Sequence, residues 1–157
     1  MNTILIWLGK TNNKRLVSLM EDYSNRIKRY NRFEIQMIPD LKNKGKMSDK
    51  FRRQKEGQLI LKKFIPGDLV ILLDEKGKSL SSVGFAKYIN AKRLSSYKRM
   101  VFVIGGPYGF SEEVCSKGNE KIALSSMTFP HQMVRLFFLE QLYRANTILN
   151  NEAYHHQ

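Results

Sequence analysis

Apolar positions fall into two kinds of run along this chain. Short continuous runs occupy residues 3–8 (TILIWL), 69–73 (LVILL) and 100–104 (MVFVI). That is the pattern of strands buried on both faces of a parallel sheet. Longer stretches repeat apolar residues at helical spacing. Residues 14–30 do so through Leu16, Leu19, Met20, Tyr23 and Ile27. Residues 49 to about 64 do so through Phe51, Leu59, Ile60 and Phe64, with Ser48 as the cap. Residues 33–38 (FEIQMI) alternate as a strand that Pro39 ends, and Pro66-Gly67-Asp68 is a turn. Further on, the pattern predicts a basic helix at 80–94, a short helix at 111–118, a short strand at 121–124 and a long helix from 131 to about 149. Residues 42–46 (KNKGK) hold no apolar side chain and predict a mobile loop. Strands alternating with helices predict one α/β domain over 1–157, on a mainly parallel sheet, without repeat or linker.

Composition narrows the class. The 42% hydrophobic and 26% charged residues are globular values, and no window approaches the roughly 20 apolar residues of a membrane span. The apolar hexamer at 3–8 has no basic region before it and is shorter than the about 7–15 residues of a signal-peptide core. Cys115 is the only cysteine, so an intrachain disulfide is excluded, and a reducing cytoplasm is the expected setting. Nothing near Cys115 suggests metal ligation. Charge changes the picture most: 27 Lys and Arg against 14 Asp and Glu give a formal +13. The excess is clustered, at 42–63 and again across 76–111, where no acid occurs. This balance favours a polyanionic partner, nucleic acid above all.

Ligands of open α/β sheets sit beyond the carboxyl ends of the strands. Three such ends stand out: residues 72–77 (LLDEKG), 104–109 (IGGPYG) and 124–131 (LSSMTFPH). Gly105, Gly106 and Gly109 lack the spacing of a dinucleotide fingerprint, and no Walker A loop follows. Pro107 also removes a backbone N–H that a phosphate cradle would use. The turn therefore suits close packing, against a flat ligand or against other backbone. Ser125, Ser126 and Thr128 add hydroxyls between the apolar Leu124, Met127 and Phe129, a lining suited to a nucleoside and equally to an ordinary loop. The helix at 132–150 is apolar on most faces and must be covered on most faces, in part by a second subunit. Arg135, Glu140 and Arg144 punctuate it, with Glu140 and Arg144 at pairing distance. The tail at 151–157 (NEAYHHQ) is either disordered or folded over a site.

Taken together, LDEKGK, VIGGPYGFSEEV, LSSMTFPHQMVRLFFLEQLYRA and the terminal YHH closely resemble one family. It is the group of SPOUT-superfamily methyltransferases that act on N3 of a pseudouridine in 23S rRNA, and the likeness runs the length of the chain. The resemblance implies an α/β fold with a C-terminal trefoil knot, a homodimer, a cytoplasmic setting and S-adenosyl-L-methionine as methyl donor. It implies no metal and no membrane. By motif match it makes Leu73, Gly105, Leu124, Ser125, Ser126, Met127, Thr128 and Phe129 the cofactor-binding positions. It further implies an active site shared between subunits, with the tail of one reaching the cofactor of the other. His131, Arg135, Glu140, Tyr143, Arg144, Tyr154 and His155 stand at matching places. Of these, His155, Tyr154, Arg135, Glu140 and Arg144 are the candidate catalytic residues. His155 or Glu140 would take the N3 proton, and Arg135 or Arg144 would stabilise the imidate oxygen or hold a phosphate. Two readings compete: a SPOUT methyltransferase with another RNA target, and a non-enzymatic basic ribosome-binding protein that needs no donor pocket.

Overall fold

A computed structural model describes residues 1–156. Five parallel strands form one sheet: β1 (Asn2–Leu8), β2 (Phe33–Ile38), β3 (Asp68–Ser79), β4 (Arg99–Ile104) and β5 (Glu120–Ala123), in the order β2-β1-β4-β3-β5. The three apolar runs are its centre, with Leu5 and Ile71 flanking Phe102 of the middle strand. Helices cover both faces, which is why those runs do not alternate. On one side Trp7, Ile71 and Phe102 pack against α1 (Lys14–Ile27), α3 (Ser82–Arg93) and α5 (His131–Leu149). On the other, Ile6, Leu72 and Val103 pack under α2 (Asp49–Leu61) and α4 (Glu112–Lys117). Asn13, Ser48, Ser81 and Ser111 cap the first four helices through their side chains.

Several elements depart from expectation. Residues 44–46 form a short 3-10 turn, with Lys44 paired to Asp40 at 2.9 Å, where a mobile loop was expected. Strand β3 continues far past Leu73. Both Leu73 and Lys78 lie opposite Ile122, so the residues between them loop out and the strand returns to the same partner. The apolar stripe expected on α2 is rotated: Phe51 is exposed, while Glu56, Gly57 and Ile60 are buried. Among the described residues, no helix is long and apolar enough to cross a membrane, and no cluster of three or more metal-ligating side chains occurs.

Candidate active site

An open cleft of about 780 Å³ lies beyond the carboxyl ends of β3 and β4. Leu73 and Ile104 reach it from the strands, Gly105 and the turn at 106–109 form one wall, and Phe129 and Val134 form the other. The turn closes with the Gly109 N–H donating to the Gly106 carbonyl at 3.0 Å, Gly109 taking a left-handed φ of 79°. A Cβ on Gly105 would lie 3.1 Å from the Phe110 ring, so this side of the turn packs closely on protein. From α2, Arg53 donates to the Tyr108 carbonyl at 3.4 Å and the Arg52 guanidinium lies 4.9 Å over the Tyr108 ring. On the β3 side, Asp74 accepts from the Lys76 amide at 2.9 Å and meets the Lys121 amine at 3.4 Å.

The eight expected cofactor positions divide. Leu73, Gly105 and Phe129 line the cleft. Leu124 borders a separate small apolar gap with Phe85 and Phe138. Ser125, Ser126, Met127 and Thr128 arch outside the cleft; Met127 is 73% exposed and the Ser125 hydroxyl accepts from its amide.

The expected catalytic residues divide too. Arg135 is fully buried, donating to the Leu8 carbonyl at 2.5 Å and the Thr11 hydroxyl at 2.8 Å, with its guanidinium 5.2 Å over the Trp7 ring. Burial pulls its pKa down to about 10, which leaves it cationic at neutral pH. Beside it, burial and the Arg135 charge lower the pKa of His131, a neutral imidazole on the lip of the cleft. Glu140, Arg144, Tyr154 and His155 meet elsewhere. Asn151, at a φ of 55°, ends α5 in a paired-carbonyl cap: its own amide bonds Ile148 O and the Glu152 amide bonds Thr147 O. Tyr30 donates to Glu152 at 2.7 Å, and the tail turns back along α5. There Tyr154 donates to Glu140 at 3.1 Å and packs edge-on against Tyr143. Arg144 donates twice to Glu140, at 3.0 and 2.5 Å, and once to His155 Nδ1 at 3.2 Å. An arginine only donates, so Nδ1 accepts and the neutral ring carries its proton on Nε2. Burial, then the Tyr23 contact, raise the Tyr154 pKa, which keeps the phenol protonated. From Val134, on the cleft, to Arg144 is ten residues, about 15 Å of helix. One chain therefore carries its cleft and its tail cluster apart.

Residues 1–155 match the family model described as "Predicted SPOUT methyltransferase". The chain belongs to the SPOUT methyltransferase family. It is 55% identical over 157 residues to the "Ribosomal RNA large subunit methyltransferase H" of Flavobacterium johnsoniae, covering 100% of both chains. The proteins of that name from Parabacteroides distasonis and Bacteroides thetaiotaomicron are 53% and 50% identical, over 98% and 100% of each chain. A solved structure described as a probable methylase family protein from Haemophilus influenzae shares the fold at a TM-score of 0.50 and 14% identity, covering 98% of this chain and 70% of that one. Sequence reasoning missed the SPOUT chain's α2 residues at this site, Arg52 and Arg53. The one hint is Gly57, a costly residue in a helix interior unless something packs on it. A Cβ there would lie 2.2 Å from Ser111 Oγ.

Proposed function

We propose that this SPOUT chain is an S-adenosyl-L-methionine-dependent methyltransferase acting on N3 of a pseudouridine in 23S rRNA, working as a cytoplasmic homodimer. The observation that carries the reading is end-to-end kinship with relatives named as large-subunit ribosomal RNA methyltransferases. The cleft fits the donor. Leu73, Ile104, Phe129 and Val134 offer apolar walls to an adenosine, and Asp74 and Glu75 offer carboxylates to a cationic sulfonium amino acid. The knot in this reading rests on membership of the SPOUT family. A dimer is supported by the separation of cleft and tail cluster and by half-buried Met133, Leu136 and Phe137 on α5.

The donor, when bound, supplies a methyl group activated by its sulfonium. The chain's own residues must align the base and remove the N3 proton as the N–CH3 bond forms and the S–CH3 bond breaks. Glu140 receives donors from Arg144, Tyr154 and Gln141, which occupy its oxygens and make it a rigid anchor. His155 takes the proton on Nδ1 once the Arg144 N–H moves from that nitrogen to the carbonyl oxygen beside N3, where it offsets the imidate charge. His155→Ala is expected to reduce turnover while leaving donor affinity unchanged; an unchanged rate removes His155 from the chemistry.

The deciding experiment is transfer of labelled methyl from S-adenosylmethionine to bacterial ribosomes lacking this modification, with the labelled nucleotide mapped. Label at N3 of a large-subunit pseudouridine is expected, and label elsewhere in RNA overturns the substrate. The exposed Lys42, Lys46 and Lys50, in and after the basic loop, supply phosphate contacts in this reading. Replacing all three with Gln is expected to weaken ribosome binding and to flatten its log–log salt dependence by up to about three, one for each lost contact. An unchanged slope places the RNA on another face.

A further inference from the structure

Next to the cleft, and sharing Gly106, Pro107 and His131 with it, lies a second cavity of about 140 Å³. It is of single-ring size, too small for a nucleotide. Two of its lining side chains are buried and incompletely partnered. Glu56 is 4% exposed, and its Oε1 accepts from Arg52 at 2.8 Å, but Oε2 has no partner among the described residues. Arg135 is 1% exposed, and its Nε–H is likewise unpartnered. A buried carboxylate oxygen and a buried guanidinium N–H left open at one cavity are costly to the fold alone. Oε2 also faces Gly106, where a Cβ would come within 2.6 Å of it and narrow the space.

The charges choose the ligand class. A phosphate would meet Arg135 but also Glu56 and Asp40. Of the other cations lining the cavity, Arg52 is paired with Glu56 and Lys44 with Asp40, which leaves the exposed Lys10 at the rim. A neutral ring edge that offers an N–H beside a C=O satisfies both open groups at once. We infer that this cavity seats the flipped acceptor base, with Glu56 accepting the pseudouridine N1–H, Arg135 donating to O2, and N3 directed to the donor cleft. The inference rests on the pseudouridine reading above. It makes Glu56 the residue that distinguishes pseudouridine from uridine, whose N1 is bonded to ribose and carries no hydrogen. A site built to bond one N–H discriminates strongly against the analogue without it, because its own buried group is then left open.

The test uses large subunits reconstituted with pseudouridine, uridine or N1-methylpseudouridine at the target position, with the full-length enzyme and S-adenosylmethionine. The wild type is expected to lose roughly 10- to 100-fold in kcat/KM on uridine and on N1-methylpseudouridine. Glu56→Gln keeps the shape. Its carbonyl is held by Arg52, so its NH2 replaces Oε2 and presents a donor to a donor. That variant is expected to fall on pseudouridine to the level of the other two substrates, with unchanged S-adenosylmethionine affinity. Equal wild-type rates on pseudouridine and N1-methylpseudouridine overturn the assignment, as does a Glu56→Gln enzyme that keeps its preference. Should Glu56→Gln fold poorly, the comparison of substrates with the wild type still decides. Wild-type transfer to none of the three overturns the underlying acceptor reading, and the pocket assignment with it.

Discussion

Gly77→Ala is expected to destabilise the protein by about 3–5 kcal/mol and to lower its thermal midpoint by roughly 6–20 °C. A Cβ at Gly77 would stand 2.6 Å from both the N and the C of Ile122 and 2.7 Å from its Cα. These are backbone atoms of β5, and β5 is bonded to β3 on both sides of the loop, at Leu73 and at Lys78. No side chain can rotate to make room, so the strands must part. The same movement displaces Asp74, Glu75 and Lys76, which lie in that loop and border the cleft, so S-adenosylmethionine binding should weaken in parallel. Gly45→Ala is the control. Nothing lies within 4 Å of a Cβ there, and the midpoint should not move. Thermal unfolding of the two variants decides the matter, and a Gly77→Ala midpoint equal to that of the control means that β5 is not held by the loop.

The same loop shows where sequence reading stops. The apolar runs at 3–8, 69–73 and 100–104 became the centre of the sheet, because strands covered on both faces need continuous apolar residues. After Leu73 the sequence turns polar, DEKGKS, and reads as a loop. Residues 74–77 do loop out, but the backbone pairs with β5 again at Lys78 and Ser79, and a ladder of backbone bonds leaves no mark on side-chain polarity. Phe51 misled for a related reason. Helical spacing groups apolar residues, but α2 meets α4 through Gly57 and turns Glu56 inward, so Phe51 faces out with the Lys55 amine 5.3 Å from its ring.

The candidate site was legible as residues and illegible as one place. Glu140 and Arg144 were expected to pair and do, one helical turn apart. Arg135 and Glu140 are five residues apart, about 140° around a helix, so α5 itself sends them to different surroundings. Arg135 was grouped with the tail residues by family likeness, whereas helix geometry puts it with Trp7, Leu8 and Thr11. The tail posed the reverse problem. Its composition leans to disorder, and order comes from Asn151 in a left-handed cap and Tyr30 on Glu152, contacts that only the folded chain assembles.

Arg144→Ala is expected to lower turnover roughly 100- to 1,000-fold, with donor affinity changed by less than about threefold. Arg144 is the one side chain that touches every other member of the tail cluster. It bonds Glu140 through Nε and Nη2, reaches His155 through Nη1, and lies 4.7 Å over the Tyr154 ring. Without it, Glu140 loses two charge-assisted bonds, and His155 loses the contact that sets its tautomer. The start of the tail keeps its cap on α5 and its bond to Tyr30, so the damage stays local. The ion pair is partly solvated, so the thermal midpoint should shift by only a few degrees. Arg144→Lys separates charge from geometry. An ammonium keeps the charge but cannot hold a carboxylate with two bonds while reaching an imidazole, so Lys should recover only a small part of the rate. Full recovery with Lys would make Arg144 a point charge and remove the bidentate argument. Loss of donor binding in either variant, with turnover at saturating donor preserved, would assign the tail cluster to holding the donor and leave the proton transfer to other residues.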